Sequence, residues 1–287
     1  MTDPTLSLLL SGQPRFSAFG ELPGAPVRNF FMTGAVDLLA RGRTQPLRIL
    51  EIGAWVGASA ASWSEALDRF HPPGGSIVCV DPWTPYPIEN DFHPEAFLAQ
   101  YRQALESDLA YRLFRHNVGL LNHPVVAIRS KSTDALPLLQ QGAFDLVYID
   151  GDHTYDSCRF DIEQGRRLVA PGGLLCGDDL DLTLAEADRA FVEANRQKQP
   201  AVDPQGRNFH PGVTLAVGEA FAEVGNFLGF WGVKRTATGF APMVLDGARG
   251  FVPSFFNAAA REEVRRALGA WSERMQPGSA PAQPAAR

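Results

Sequence analysis

The chain of 287 residues lacks the features that mark secreted, membrane-spanning or nucleic-acid-binding proteins. Its three cysteines, Cys79, Cys158 and Cys176, do not have the spacing of a metal site, so we expect buried free thiols and a cytoplasmic protein. The early apolar run at residues 6–10 is too short for a signal or membrane segment. The net charge is −6 without a basic block, so we do not expect a nucleic acid as partner.

Hydrophobic residues make up 45% of the chain, as in ordinary globular proteins, and no internal repeat is present. The length favours one large α/β domain with appendages. We predict four parts: an N-terminal arm and helix that cap the core (1–46), the core (47–245) with a helical insertion (93–120), a C-terminal helix (246–275) and a disordered tail (276–287).

The most informative stretch is residues 144–180, which predict a strand, a helix and a second strand. The first strand, 144–149, is almost entirely apolar, and Pro171-Gly172-Gly173 separates the helix from the second strand. The polar residues that follow the two strands are Asp150, Asp152, His153, Asp178 and Asp179. Because the carboxyl ends of parallel strands form the ligand crevice of open α/β sheets, we expect these side chains to converge.

A second strand–turn–helix unit begins the core. Strand 47–52 contains Glu51 and leads into a turn from Gly53 to Gly57, whose backbone can approach a ligand closely. Strand 76–80 ends at Asp81, a carboxylate placed to accept hydrogen bonds from the two hydroxyls of a ribose.

The remaining elements are mostly helical. Phe30 and Phe31 on the first helix offer a contact for a second copy of the chain, so a homo-oligomer is one expectation. The predicted helices are 29–40, 95–117, 182–197, 213–224 and 258–275, and the other predicted strands are 125–129 and an antiparallel hairpin of 230–234 with 240–245.

The turn Glu51-Ile52-Gly53-Ala54-Trp55-Val56-Gly57, together with Asp81, resembles the nucleoside site of class I S-adenosylmethionine-dependent methyltransferases. The resemblance covers residues 47–245. It implies a Rossmann-like, doubly wound sheet of seven strands, mostly parallel with an antiparallel C-terminal hairpin. It also implies S-adenosylmethionine as the cofactor. The cofactor-binding residues that it implies are Glu51, Gly53, Ala54, Gly57, Asp81, Lys131, Ser132 and Asp150.

The sequence Asp-Gly-Asp-His-Thr-Tyr from Asp150 resembles metal-dependent O-methyltransferases of the macrocin or sugar O-methyltransferase type. The resemblance implies that Asp150, Asp178 and Asp179 hold a divalent ion and that His153 is the general base. Three carboxylates favour Mg²⁺ over zinc. An ion of this kind lowers the pKa of a hydroxyl, and an imidazole can then accept its proton. The expected partner is a small-molecule acceptor, such as a sugar or a phenol.

Other interpretations of these residues stay open. Asp152 is better explained as a helix cap than as a ligand, and Asp178 and Asp179 could cap the following helix. His93 and His210 fit solvated loop residues. The enzyme could also work without a metal on an oxygen or nitrogen acceptor, with His153 as the only base. A nucleotide-binding protein without catalysis, or one that uses NAD, is the remaining class.

Overall fold

The computed structural model describes residues 12–16 and 26–274, and its centre is a mixed β-sheet. The strands of this sheet are β1 (Leu47–Ile52), β2 (Gly75–Asp81), β3 (Val125–Arg129), β4 (Phe144–Ile149), β5 (Val169–Leu180), β8 (Gly225–Phe227), β9 (Gly229–Arg235) and β10 (Phe240–Pro242). Two shorter strands, β6 (Ala201–Val202) and β7 (Asn208–Phe209), form a separate ribbon.

The strand order is β10-β9-β5-β4-β1-β2-β3, with β8 paired to β9. Strands β1 to β5 pair with one another in the parallel sense. Strand β9 pairs in the antiparallel sense with β5, β8 and β10. The predicted fold class is therefore confirmed. The sheet has eight strands and not seven, because the short β8 adds to the predicted hairpin.

Helices cover both faces of the sheet. They are α1 (Val27–Ala40), α2 (Ala58–Phe70), α3 (Glu95–Glu106), α4 (Leu109–Val118), α5 (Ser132–Ala135), α6 (Tyr155–Leu168), α7 (Arg189–Asn195), α8 (Pro211–Ala220) and α9 (Ala258–Arg274). Successive residues of β1 alternate between two cores: Ile49 packs with residues of α1 and α2, and Leu50 packs with residues of α6 and α8. The first core contains the buried Trp63, whose ring meets that of Tyr148 at 5.4 Å.

Two helix predictions were wrong in extent. The insertion predicted as one helix over 95–117 is two helices, because Asp108 has a positive φ of 61° that interrupts the helical backbone. The helix predicted over 182–197 is reduced to α7, because Asp188 caps it by accepting a hydrogen bond from the Phe191 N–H at 3.0 Å.

Helix α1 is held against the rest of the chain along its length. Ser62 donates to Asn29 Oδ1 at 2.7 Å, and Asp37 pairs with Arg249 at 2.7 Å. Phe31 is buried and packs its ring 5.3 Å from that of Trp271, while Phe30 lies against Gly250. Phe31 is therefore enclosed within the chain, whereas Phe30 is partly exposed, and the homo-oligomer stays a prediction.

Two predictions concern chain segments beyond those described. The disordered tail, 276–287, and most of the arm before residue 26 lie outside the described residues. Within 12–16 and 26–274, none of the helices has the length and apolar character that crossing a membrane requires. All three cysteines are free and buried, as predicted.

Candidate active site

A cavity of about 550 Å³ opens at the carboxyl ends of β1 and β4. These two strands are neighbours in the sheet, but the chain continues from β1 to β2 on one side and from β4 to β5 on the other. Such a switch point leaves a crevice beyond the strand ends. The predicted site residues that line the cavity are Gly53, Ala54, Asp150, His153, Asp178 and Asp179.

Gly53 lies where β1 and β4 approach most closely. It has a φ of +83°, and a Cβ on it would lie 2.0 Å from the carbonyl oxygen of Asp150. The Asp150 N–H donates to the Ile52 carbonyl at 2.8 Å, which continues the pairing of β1 with β4 to this point. A side chain at position 53 is therefore excluded by backbone atoms and by conformation.

The carboxylate of Asp81 organises the turn after β1. Its Oδ2 accepts the N–H groups of Ala54 and Trp55, both at 3.0 Å, and its Oδ1 accepts the Trp83 N–H at 2.7 Å. Burial raises the pKa of Asp81, although these three hydrogen bonds act in the opposite sense. In this structure Asp81 fixes the shape of the turn, and its contact with a ribose stays a prediction.

Glu51 and Gly57 lie behind the same turn. Glu51 is fully buried, accepts a hydrogen bond from Ser59 Oγ and lies 3.5 Å from Cys79 Sγ. Burial raises the pKa of Glu51 to about 8, so the side chain is largely protonated at neutral pH. Gly57, with a φ of +88°, begins α2. Neither residue lines the cavity, although Ser59 does.

The three predicted metal ligands come together at the edge of the cavity. Asp150, Asp178 and Asp179 each offer a carboxylate oxygen within 4.8 Å of the other two. Asp178 and Asp179 lie in β5 and do not cap a helix. The pairing of β5 with β9 is irregular between Gly177 and Leu180, and Asp179 has a φ of +62°. This irregularity changes the normal alternation of side chains along the strand.

Arg28, in the first turn of α1, reaches into this group of acids. Its Nη1 contacts Asp178 Oδ2 and lies 3.2 Å from Asp150 Oδ2, and all three side chains are largely buried. Burial opposes the charge on Arg28, but Asp150 and Asp178 outweigh it and raise the pKa of Arg28 well above its ordinary value. Burial raises the pKa of Asp178 to about 7, with the charges of Asp179 and Asp150 acting in the same direction.

The imidazole of His153 lies on the other side of the acids. Its Nε2 is 3.0 Å from Asp179 Oδ2 and 3.5 Å from Asp150 Oδ1. Burial alone would lower the pKa of His153, but Asp179 and Asp150 raise it to about 9. The pKa of Asp179 is lowered below its ordinary value. Burial acts to raise this pKa, but the positive charges of His210, His153 and Arg28 have the larger effect.

The interpretation of His210 as a solvated loop residue was wrong. His210 Nδ1 lies 3.2 Å from Asp181 Oδ2 and 3.8 Å from Asp179 Oδ1, and its ring centre is 4.8 Å from that of His153. The segment can approach because Gly212 has no side chain: a Cβ there would lie 2.3 Å from the His153 carbonyl oxygen. His153, Asp179 and His210 form a second group with donor atoms within 4.8 Å.

Lys131 and Ser132, predicted to lie beside the adenine, do not line the cavity. Lys131 is exposed, while Ser132 begins α5 and hydrogen-bonds the side chain of Asp161. Asp161 is 2% exposed, and burial raises its pKa to about 7. Asp152 accepts hydrogen bonds from the Thr154 N–H and from Ser157 Oγ, and so orders the turn before α6. The N-cap position is Thr154 and no side chain caps the helix, so the cap predicted at Asp152 was wrong.

Aromatic rings form another part of the cavity wall. Trp55 stacks on Tyr101 with ring centres 4.3 Å apart, and His93 stacks on Phe97 at 4.8 Å. Tyr86 meets Tyr101 edge-on at 6.4 Å. Helix α3 and the loop before it carry most of these rings, and all of them line the cavity. His93 is therefore also a cavity residue and not only a loop residue.

A family model described as a methyltransferase domain matches residues 50–180, the part of the chain that holds β1 to β5 and the acids. The chain contains an S-adenosylmethionine-dependent methyltransferase domain. Among solved structures, the O-methyltransferase NovP matches with a TM-score of 0.50 and 19% identity, over 73% of this chain and 80% of NovP. At 19% identity, this similarity shows a shared fold only.

Two further structures match this methyltransferase less closely in shape. The O-methyltransferase TomG from Streptomyces achromogenes, in complex with S-adenosylmethionine, has a TM-score of 0.41 and 18% identity over 81% of this chain and 88% of its own. An O-methyltransferase from Bacillus cereus has a TM-score of 0.41 and 17% identity over 81% of this chain and 89% of its own. A comparison with curated proteins gives no significant match.

The acids of the methyltransferase fit a divalent ion in number and chemistry. Mg²⁺ takes oxygen ligands at about 2.0–2.1 Å, and three carboxylate oxygens that already lie within 4.8 Å of one another can supply three of them. The guanidinium of Arg28 lies on Asp150 Oδ2 and Asp178 Oδ2, so two carboxylate oxygens of this group already face a positive charge. The three carboxylates would hold a divalent ion in competition with, or beside, that charge.

The sequence patterns did not indicate Arg28 as a site residue, because it lies in a helix and not at a strand end. The available signal was a charged residue in a mostly apolar helical run, Val-Arg-Asn-Phe-Phe-Met. A buried charge needs a partner, and the partner of Arg28 lies 150 positions away. The local sequence pattern could indicate that Arg28 needs an acidic partner, but it could not identify that partner. Ser59, which lines the cavity and bonds Glu51, was also missed.

Proposed function

We propose that the methyltransferase transfers the methyl group of S-adenosylmethionine to a hydroxyl of a small molecule, with a divalent ion at Asp150, Asp178 and Asp179. The observation that carries this proposal is the convergence of these acids with His153 in one cavity beside the Gly53 turn. A hydroxyl is a weak nucleophile at neutral pH. A cluster of this kind supplies both of the groups that activate it, a cation site and a proton acceptor.

His153 is the proposed proton acceptor. Its Nε2 faces Asp150 and Asp179, which hold its pKa at about 9 and so favour the protonated ring. Only the unprotonated imidazole can accept the hydroxyl proton. Neutralising the two acids would lower the pKa of His153 and prepare it for this role. When bound, a divalent ion supplies that positive charge and lowers the pKa of the hydroxyl.

The cavity supports a small acceptor with both apolar and hydroxylated surfaces. The aromatic rings of Trp55, Phe97 and Tyr101 line the same cavity of about 550 Å³ as the acids. Methyl transfer needs the acceptor oxygen in line with the methyl carbon and sulfonium, which is a matter of positioning. A ring-shaped acceptor held against the aromatic wall, with a hydroxyl at the acids, meets that need. Sugars and phenols both have this form, and TomG and NovP are O-methyltransferases by name.

The direct test is binding followed by turnover. We expect calorimetry to show binding of S-adenosylmethionine and not of NAD to the full chain. Incubation with sugar and phenol acceptors should then yield S-adenosylhomocysteine and an O-methylated product. Chelation should stop turnover but leave cofactor binding intact, and added Mg²⁺, Mn²⁺ or Zn²⁺ should restore it to different extents. Turnover that survives complete chelation would remove the ion from the proposal.

Arg28 favours a second candidate, a methyltransferase that works without a metal. Its guanidinium already supplies a positive charge between Asp150 and Asp178, and His153 would then be the only base. An amine acceptor is compatible with this arrangement as well as a hydroxyl. Chelator-resistant methyl transfer to an amine would favour this candidate.

A further inference from the structure

We propose that Arg28 is an internal competitor for the divalent ion: its guanidinium occupies the ion's position between Asp150 and Asp178, and ion loading requires its withdrawal. This inference rests on the proposed function, since it concerns the same three acids. It adds that the affinity of the site for the ion is set by a residue of helix α1.

The geometry makes the two cations mutually exclusive. Arg28 Nη1 lies 3.2 Å from Asp150 Oδ2 and closer still to Asp178 Oδ2. An ion that joined the same two oxygens would lie about 2.1 Å from each, which places it against the nitrogen. A guanidinium has no lone pair to offer a metal and carries positive charge, so it cannot become a ligand.

The burial of the ion pair makes the competition strong. The side chains of Arg28 and Asp178 are 8% and 6% exposed, and that of Asp150 is 13% exposed. Water therefore screens the pair weakly, and either partner left alone would be a desolvated charge. An arriving ion must replace the stabilisation that the guanidinium gives to two acids. The guanidinium in turn needs a new position near solvent or near another anion.

Arg28 is placed to move without dismantling helix α1. It belongs to the first turn of the helix, directly after Pro26. Other contacts fix the helix on both sides of Arg28: Val27 is buried in the core, Ser62 is bonded to Asn29, and Asp37 pairs with Arg249. A change of Arg28 rotamer would free the acids while these contacts remain.

The test measures Mn²⁺ binding to the full chain without cofactor or acceptor, by the loss of the free Mn²⁺ resonance signal. We expect Arg28→Met, which keeps the length of the side chain but not its charge, to bind Mn²⁺ about 10- to 100-fold more tightly than the unmodified chain. Arg28→Lys keeps a competing charge and should change the affinity by less than about threefold. Arg41→Met is the matched control, because Arg41 pairs with the buried Asp37 away from the cavity.

The outcomes separate this inference from the proposed function. Equal or weaker Mn²⁺ binding by folded Arg28→Met would overturn the competition and leave the ion site intact. Absence of binding in both proteins would refute the ion step of the proposed function, and the inference would fall with it. Binding of S-adenosylmethionine, measured in parallel, tests the cofactor site on its own.

A second measurement applies if Arg28→Met does not fold. In the unmodified chain, the side-chain Nε–H resonance of Arg28, followed by NMR, should shift and exchange faster with water when Mg²⁺ is added to saturation, because the guanidinium leaves its buried position. An unchanged Arg28 resonance at saturating Mg²⁺ would overturn the inference. Thermal melting is a further measurement for a folded variant: Mn²⁺ should raise the melting temperature of Arg28→Met more than that of the unmodified chain.

Discussion

Replacing Asp161 by asparagine should remove a large part of the pH dependence of stability. Asp161 is 2% exposed, its Oδ1 has no hydrogen-bond partner among the described residues, and burial raises its pKa from 3.8 to about 7. From about pH 4 to about pH 7 the unfolded chain has released this proton while the folded chain keeps it. The free energy of unfolding therefore falls as the pH rises through this range.

The size of this fall follows from the two pKa values. At about 1.4 kcal/mol for each pH unit, the difference between 3.8 and about 7 corresponds to a loss of up to about 4 kcal/mol. The loss is complete above pH 7, where both states are ionised. Asparagine cannot ionise, so Asp161→Asn should be more stable relative to the unmodified chain at pH 8 than at pH 4 by about that amount.

Urea unfolding at several pH values from 4 to 8 measures the difference. Glu51 is also buried with a raised pKa and gives a fall of the same sign in both proteins, so the difference between the curves isolates Asp161. Asp156→Asn, an exposed position on the same helix α6, serves as the control. Parallel stability curves for Asp161→Asn and the unmodified chain would refute the reasoning.

Three further predictions concern the cavity. His153→Ala should keep the affinity for S-adenosylmethionine and reduce turnover about 10²- to 10⁴-fold, and a product assay that finds full activity would contradict its role as base. Gly53→Ala should lower the free energy of unfolding by about 2–4 kcal/mol, because the new Cβ would lie 2.0 Å from a backbone oxygen. Gly57→Ala should lower the free energy of unfolding by less, because the atom nearest to its Cβ is a side-chain carbon at 3.1 Å. Tyr101→Phe should retain the stack on Trp55 and leave the Trp55 emission unchanged. Tyr101→Ala should lose the stack, shift the Trp55 emission and lower the free energy of unfolding by about 1 kcal/mol; an unchanged Trp55 emission in Tyr101→Ala would argue against the stack.

The acids of the site could be predicted because they follow from the simplest pattern in the chain. Strand β4 is apolar and buried throughout, so its end is marked clearly by Asp150. Parallel strands end on the same edge of the sheet, which brings Asp178 and Asp179 to the same place even though they are distant in sequence. The strand order then placed the turn at Gly53 beside them.

The rest depended on interactions that no local pattern encodes. The break between α3 and α4 comes from one residue, Asp108, in a left-handed conformation within a run of helix-forming residues. The contact of Arg28 with Asp178 joins an N-terminal helix to the fifth strand, and His210 reaches Asp179 from a loop beyond it. Each contact is decided by tertiary packing, which a periodicity of apolar residues does not describe.

Because all three thiols are buried, the surface of the methyltransferase has no cysteine that reacts readily with thiol reagents. Cys79, Cys158 and Cys176 are enclosed in the two cores, and burial raises the pKa of each, so that their nucleophilic thiolate forms are rare. A cysteine introduced at an exposed site, such as Lys131, would therefore be the one that maleimide reagents reach. The natural sequence is thus ready for attaching a single spectroscopic reporter without first removing its own sulfur atoms.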